Sequence, residues 1–84
     1  MQHASHPDII LRLKRAHGHL ASVIEMFGTG RPCLDLAQQL HAVEAAIAKA
    51  KREMIHDHIE HCLADAGEEA AETIRDLKLI TKYL

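Results

Sequence analysis

A chain of 84 residues is long enough for one small domain, whose core alone would be marginally stable without a metal, disulfides or a partner chain. Hydrophobic residues make up 48% of the chain and aromatic residues only 2%, which favours an all-helical oligomer and argues against a β-sheet or a base-stacking platform for nucleic acid. The net charge of −2 hides an asymmetry, because residues 1–56 are net basic and residues 57–84 are net acidic. With no apolar run long enough for a membrane span and no visible secretory signal, we predict a cytoplasmic protein.

The first predicted helix starts at Pro7 and Asp8, after a flexible N-terminus of residues 1–7. Apolar residues then recur at steps of three and four, which is typical of one face of a helix. This stripe consists of Ile9, Leu13, Ala16, Leu20, Val23 and Phe27. The stretch from Gly28 to Pro32 ends the helix, with Gly28 as its predicted C-cap.

The second predicted helix runs from Cys33 to Ala66, a stretch without Gly or Pro. Its apolar stripe has heptad-like steps and contains Leu36, Leu40, Val43, Ile47, Ala50 and Met54, continuing through Ile55, Ile59 and Cys62. Gly67 interrupts the pattern. A short third helix follows, with Ala70, Ile74, Leu77, Ile80 and Leu84 on its apolar face.

The second helix is too long to be covered by the first helix of its own chain. We therefore expect an all-α fold with three helices per chain, in which two antiparallel copies form a four-helix bundle. Whether two such dimers associate into a tetramer stays open. The alternative is a monomeric three-helix bundle, which would expose half of the apolar face of the long helix.

A metal site is predicted from the histidine and cysteines of the second helix. His58 and Cys62 are four residues apart, so they lie on one helix face and suit Cu(I), Zn(II), Ni(II) or Co(II). Cys33 lies roughly 43 Å from Cys62 along the same helix. It can therefore approach His58 and Cys62 only when these belong to an antiparallel partner chain. Two thiolates and one imidazole favour Cu(I), whereas a fourth ligand from His3 or His6 favours Ni(II), Co(II) or Zn(II). The alternative is that both cysteines are small buried hydrophobic residues and His58 is a surface histidine.

The basic residues of the first two helices form two clusters that could meet DNA phosphates. They are Arg12, Lys14 and Arg15 in one cluster and Lys49, Lys51 and Arg52 in the other. The alternative is an ordinary solvated face. Without a helix-turn-helix, readout of groove shape with a few Arg contacts is expected.

Several short motifs are distributed over residues 9 to 63, and the spacing between them contains no insertion or deletion relative to the family discussed below. They are Arg12-Leu13-Lys14, Gly18-His19-Leu20, Met26, Cys33, Gln38-Gln39, Ala42-Val43 and the run from Met54 to Cys62. This set resembles the CsoR/RcnR family of metal-sensing bacterial repressors, and the spacing of Cys33, His58 and Cys62 is that of its copper-sensing members. The resemblance implies an all-α dimer, usually doubled to a tetramer, that binds operator DNA when empty and releases it when an inducer binds.

The resemblance also implies roles for single residues. Arg12 matches a DNA-binding arginine of the family's first helix, and Lys49 lies where the second helix adds a basic contact. Glu72 or Asp76 corresponds to a carboxylate on the third helix that links the inducer site to the bundle. His61 is a candidate supporting residue because of its position beside the ligands and not because of the resemblance; the alternative is a surface histidine. Pro32 departs from the family, because a copper sensor has tyrosine there.

These observations together predict a metal-responsive transcriptional repressor and not an enzyme. We expect Cu(I), or Ni(II), Co(II) or Zn(II), to release it from operator DNA. The metal would bind at a site formed by Cys33 of one subunit with His58 and Cys62 of the second subunit. One alternative is a repressor that senses persulfide or formaldehyde through Cys33 and Cys62. Another is a metal-buffering helical bundle that does not bind DNA.

Overall fold

The computed structural model describes the backbone of residues 6–64 and 70–84 and the side chains of residues 6–61 and 71–84. It contains helices α1 (His6–Phe27), α2 (Cys33–Ala64) and α3 (Ala70–Ile80), followed by a 3-10 turn at Thr81–Tyr83. The described ranges contain no strand, so the predicted all-α class with a long central helix is confirmed. None of the helices there is long and apolar enough to cross a bilayer.

The start of α1 differs from the prediction at one residue, whereas its end agrees with the prediction. His6, predicted as part of a flexible N-terminus, is the first residue of the helix, and Pro7, the predicted start, lies in the first turn, where proline is tolerated because its missing N–H has no helical partner. At the other end, Gly28 donates a hydrogen bond to the Glu25 carbonyl (2.9 Å), so the chain tightens there without reversing. Because α1 ends at Phe27, Gly28 stands at the predicted C-cap position, whereas the left-handed glycine is Gly30, with φ of 74°.

The end of the chain is also tighter than predicted. The apolar pattern suggested helix through Leu84, but α3 ends at Ile80 and a 3-10 turn follows. The Thr81 hydroxyl donates a hydrogen bond to the Lys78 carbonyl (2.8 Å), a local bond that competes with the regular backbone ladder. Gly67, the predicted helix breaker, lies outside the described residues.

Helices α1 and α2 form an antiparallel hairpin whose core is a row of small and medium apolar residues. Two side-chain contacts show the direction, because Arg12 meets Glu53 and His19 meets Gln39. Every seventh residue is buried on each helix, as in coiled-coil packing. The buried row is Ile9, Ala16 and Val23 on α1, and Leu36, Val43 and Ala50 on α2.

The predicted apolar stripes split into two rows, only one of which is buried. Residues four positions after the core row stay open, with exposed fractions of 42% at Leu13, 42% at Leu40 and 44% at Ile47. They line two adjoining cavities of about 540 and 280 Å³ that share Ile47 and Lys51. We call this surface the apolar groove; it is lined by Ile9, Leu13, Leu20, Leu40, Val43, Glu44, Ile47, Ala48, Ala50, Lys51 and Met54.

The chain forms a thin layer and not a closed bundle. It measures 59 × 23 × 12 Å, and its radius of gyration is 17.3 Å. A compact domain of this length has a radius of gyration of about 12 Å. Since stable domains bury their apolar faces between at least two layers, the apolar groove lacks a covering layer within the described part of one chain.

Candidate functional site

The predicted metal ligands lie at opposite ends of α2. Cys33 is the first residue of the helix and is exposed, whereas His58 is half-buried in its second-to-last turn. At 1.5 Å per residue they are about 37 Å apart. Cys62 belongs to α2 one turn after His58, and its side chain lies outside the described residues. Among the side chains that the structure describes, no three His, Cys, Asp or Glu residues of one chain converge on a metal position.

His58 lies in a cavity of about 430 Å³ where the C-terminal part of α2 meets the end of the chain. α3 contributes Asp76 to this cavity, and the 3-10 turn contributes Lys82 and Tyr83. Apolar contacts come from Leu79 and Ile80. Glu72, the first candidate for a carboxylate linked to the site, is exposed and does not line this cavity. Of the two predicted carboxylates, the structure therefore brings Asp76 to His58.

His61 is fixed to the preceding turn of its own helix. Its Nδ1 donates to the Asp57 carbonyl oxygen at 2.8 Å and lies 3.0 Å from the Asp57 carboxylate. The Asp57 side chain is only 11% exposed, so this contact is partly shielded from water. These contacts fix the orientation of the His61 ring on α2.

Of the two predicted fourth ligands, the structure describes only His6. His6 is the first residue of α1 and is half-buried. Because the hairpin is antiparallel, the first turn of α1 lies toward the C-terminal half of α2, the half that carries His58. His3 lies outside the described residues.

Three of the six predicted DNA-binding residues converge on one pocket. Arg12, Arg15 and Lys49 line a cavity of about 220 Å³ together with Ala16, His19 and Ala46, and we call this set the basic pocket. Glu53 holds one of these cations, with 3.2 Å between Arg12 Nη1 and Glu53 Oε1. Arg15 and Lys49 therefore leave the pocket with a net positive charge, and such charge attracts anionic groups such as phosphate.

The other three predicted DNA-binding residues lie elsewhere. Lys51 lines the apolar groove, on the other side of the hairpin from Lys49, because two residues along a helix correspond to a rotation of about 200°. Lys14 and Arg52 are exposed and line neither the basic pocket nor the apolar groove. The cluster in the sequence is thus only partly a cluster in space.

A hydrogen bond joins the two helices beside the basic pocket. His19 Nε2 lies 2.6 Å from Gln39 Oε1, so Nε2 carries the proton that it donates. This bond positions the His19 ring, which forms one wall of the pocket.

The sequence analysis missed three residues that the structure adds to these sites. They are Glu53 beside Arg12, Asp57 beside His61, and Tyr83 beside His58. Asp57 could have been found, because it precedes His61 by one helical turn. Glu53 and Tyr83 meet their partners only through tertiary packing, so no local spacing indicates them.

Comparison with known proteins identifies related sequences. The family model of the metal-sensitive transcriptional repressors matches residues 5–82. The copper-sensing transcriptional repressor CsoR of Mycobacterium ulcerans (strain Agy99) is 36% identical over 78 residues, which cover 87% of this chain and 67% of that protein. CsoR of Bacillus subtilis (strain 168) is 36% identical over 81 residues, which cover 89% of this chain and 80% of that protein.

A more distant relative carries another name. The copper-sensing transcriptional repressor RicR of Mycobacterium tuberculosis (strain ATCC 25618 / H37Rv) is 28% identical over 55 residues, which cover 66% of this chain and 57% of that protein. The chain thus spans about two thirds of the length of its mycobacterial CsoR relatives. No solved structure matches it.

Proposed function

The chain belongs to the family of metal-sensitive transcriptional repressors, a family of regulators and not of enzymes, and from this membership we propose that it is a copper-responsive repressor that is released from operator DNA by Cu(I). The observation that carries the proposal is the division of the donor set between the two ends of one helix. Cys33 and His58 are about 37 Å apart on α2, so they cannot bind one metal ion together within a single chain.

A second, antiparallel copy completes the site. It would bring the start of α2 in one subunit beside the end of α2 in its partner, and the open apolar groove supplies the surface on which the copies would meet. Each dimer would then hold two sites, each composed of Cys33 from one subunit with His58 and Cys62 of the partner subunit. Two thiolates and one imidazole are soft donors in a number that suits Cu(I).

The basic pocket is the proposed contact to DNA. Its three cations come from two helices that the hydrophobic core holds in fixed relation, so they would neutralise neighbouring phosphates together. Phosphate contacts fix the position of a protein on the duplex, while sequence is read through shape and base contacts. Since operator DNA is the target, we assign the protein to the cytoplasm.

Metal binding is proposed to act on DNA through α2 and α3. Asp76 shares a cavity with His58, so a change in the orientation of the His58 imidazole on metal binding would alter the contact between α2 and α3. The same α2 carries Lys49 of the basic pocket. A coupling free energy of about 1–3 kcal/mol between the two sites is enough for a working switch.

The experiment is a titration of the reduced protein with Cu(I) while its release from a promoter fragment is followed. We expect Cu(I) to lower DNA affinity about 10- to 100-fold. Cys33→Ala and His58→Ala should bind DNA but lose most of this response. The matched control is His41→Ala, which removes an exposed histidine of the same helix and should respond as the unchanged protein does.

Other inducers are separate arms of the same titration. Release by Ni(II), Co(II) or Zn(II) in place of Cu(I) would contradict the copper assignment and indicate a fourth ligand such as His6. Release only by a persulfide or formaldehyde would contradict metal sensing altogether, and copper binding without any DNA binding would indicate a metal buffer. The names of the relatives, which are copper-sensing repressors, favour neither of these last two.

A further inference from the structure

The apolar groove contains two charged residues of opposite sign. Glu44 and Lys51 line the same cavity, among Leu20, Leu40 and Ile47. They are seven residues apart on α2, which places them on the same side of the helix but about 10 Å apart along its axis. Within the part of the chain that the structure describes, no ion pair involves either of them. Both charges therefore face the layer that covers the groove.

The positions of these charges have the symmetry of an antiparallel pair of helices. When a two-fold axis relates two antiparallel helices, residues that lie opposite each other share one midpoint in the sequence. The midpoint of Glu44 and Lys51 falls between Ile47 and Ala48. The midpoint of Cys33 and Cys62 falls at the same place.

We infer that a second copy of this chain covers the apolar groove with Glu44 opposite Lys51 of the partner subunit, and that these two symmetry-related ion pairs fix the alignment of the copies. The same alignment brings Cys33 to Cys62 of the partner subunit. The approach of Cys33 to Cys62 of the partner subunit rests on the proposed function. The pairing of Glu44 with Lys51 of the partner subunit concerns the metal-free protein and can be tested separately.

Charges are needed because the apolar contacts alone leave the alignment ambiguous. Leu40, Ile47 and Met54 repeat every seven residues, so a shift of the partner by one repeat again sets apolar residues against apolar residues. Such a shift displaces the partner by about 10 Å and separates the metal ligands. It also removes Glu44 from Lys51 of the partner subunit, so the charge pair disfavours the wrong alignment.

The occupant is a second copy because the charge pattern is self-complementary. A surface with one acidic and one basic residue at equal distances from an axis matches itself after a two-fold rotation, and an unrelated partner imposes no such symmetry. The groove also extends along both α1 and α2, as an interface between two layers requires.

The first test is a charge reversal measured by sedimentation equilibrium of the metal-free, reduced protein. Glu44→Lys sets like charges opposite each other at two positions of the dimer, and we expect the dissociation constant to rise about tenfold. Lys51→Glu should act similarly, and the double variant Glu44→Lys/Lys51→Glu should recover most of the affinity. The matched control is Glu25→Lys, an exposed residue of α1 outside the groove, which should leave dimerisation unchanged.

The second test does not depend on charge. In a Cys33→Ser/Cys62→Ser background, chains with Glu44→Cys are mixed with chains with Lys51→Cys and oxidised. We expect disulfide-linked heterodimers in the mixture and little cross-linking of either chain alone, because identical positions lie about 10 Å apart along the axis.

The outcomes separate this inference from the proposed function. Dimerisation without rescue in the double variant, together with no preference for mixed disulfides, overturns the charge-fixed alignment and leaves the copper repressor intact. A protein that stays monomeric overturns both. At 1 M salt, charges are screened beyond about 3 Å. If the double variant then no longer dimerises more tightly than the single variants, the ion pairs are supported.

Discussion

The two faces of the α1–α2 hairpin are built by the same two helices, yet they present opposite chemistry. Residues three positions after a buried residue lie on one face, which carries Arg12 and His19 on α1 and Glu53 on α2. Residues four positions after a buried residue lie on the other face, which carries Leu13 and Ile47. A difference of one position in the helical repeat therefore separates a surface suited to phosphates from a surface suited to another protein layer.

The hairpin thus offers two faces of different chemistry within one domain. It is a thin layer, and the described residues leave both the basic pocket and the apolar groove open. Changes on the apolar face should act first on assembly, and changes on the basic face should act first on DNA binding.

The largest expected effect is the loss of assembly after Ile47→Glu. Ile47 lines both cavities of the apolar groove, so a second copy would bury the new carboxylates near the two-fold axis. We expect the dimer dissociation constant to rise about 1000-fold, with loss of copper and DNA binding as a consequence. Sedimentation equilibrium measures this. The control is Ile24→Glu on α1, where the side chain is already 64% exposed outside the groove; equal effects of the two variants would contradict the distinction between the faces.

Arg12→Ala should weaken DNA binding while leaving assembly and copper binding unchanged. The change removes one of three cations of the basic pocket, and we expect affinity for operator DNA to fall about 10- to 100-fold. The slope of log affinity against log salt should fall by about one for each contacting subunit. Fluorescence anisotropy over a range of salt concentrations measures both. Lys14→Ala is the matched control outside the pocket, and a loss as large as that of Arg12→Ala would argue against the pocket as the DNA contact.

Asp76→Asn should weaken the link between copper and DNA more than it weakens either binding event. The change keeps the size of a side chain in the His58 cavity but removes its charge. We expect the ratio of DNA affinities without and with Cu(I) to shrink about fivefold, as measured in paired titrations. Glu72→Gln makes the same chemical change one helical turn earlier on α3, at a residue that does not line the His58 cavity, and should keep the ratio. A smaller ratio in that variant instead would transfer the role to Glu72.

The smallest expected effect concerns stability. Gln39→Ala removes the hydrogen bond to His19 that joins α1 and α2 beside the basic pocket. We expect the free energy of unfolding to fall by about 1 kcal/mol in urea denaturation at fixed protein concentration. Its neighbour Gln38 is exposed, and Gln38→Ala should change stability by less than half as much. If His19→Ala and Gln39→Ala have additive effects in the double variant, the bond does not contribute.

The helices were predictable because their signals are local. Regular apolar steps mark α1 and α2, and the stretch between them contains the glycines and proline that separate them. The division of each stripe into a buried and an open row was not predictable, since it depends on the side from which the partner helix approaches. For the same reason Lys51, a sequence neighbour of Lys49, lies on the opposite face of the hairpin.

The helical positions of the candidate metal ligands were predictable, but their surroundings were not. The positions of Cys33 and His58 on one uninterrupted helix follow from spacing alone. The choice between Glu72 and Asp76 could not be made from spacing, because it depends on how α3 returns to α2. In the folded chain Asp76 and Tyr83 share a cavity with His58, and Glu72 does not line that cavity.

The uninterrupted length of α2 has a mechanical consequence. From Cys33 to Ala64 the helix contains neither glycine nor proline, so it has no built-in hinge at which a tilt would be absorbed. A stiff rod of about 48 Å acts as a lever, and a rotation of about 5° at one end moves the other end by about 4 Å. A bond that forms at either end of α2 can therefore displace Lys49, which lies halfway along the helix.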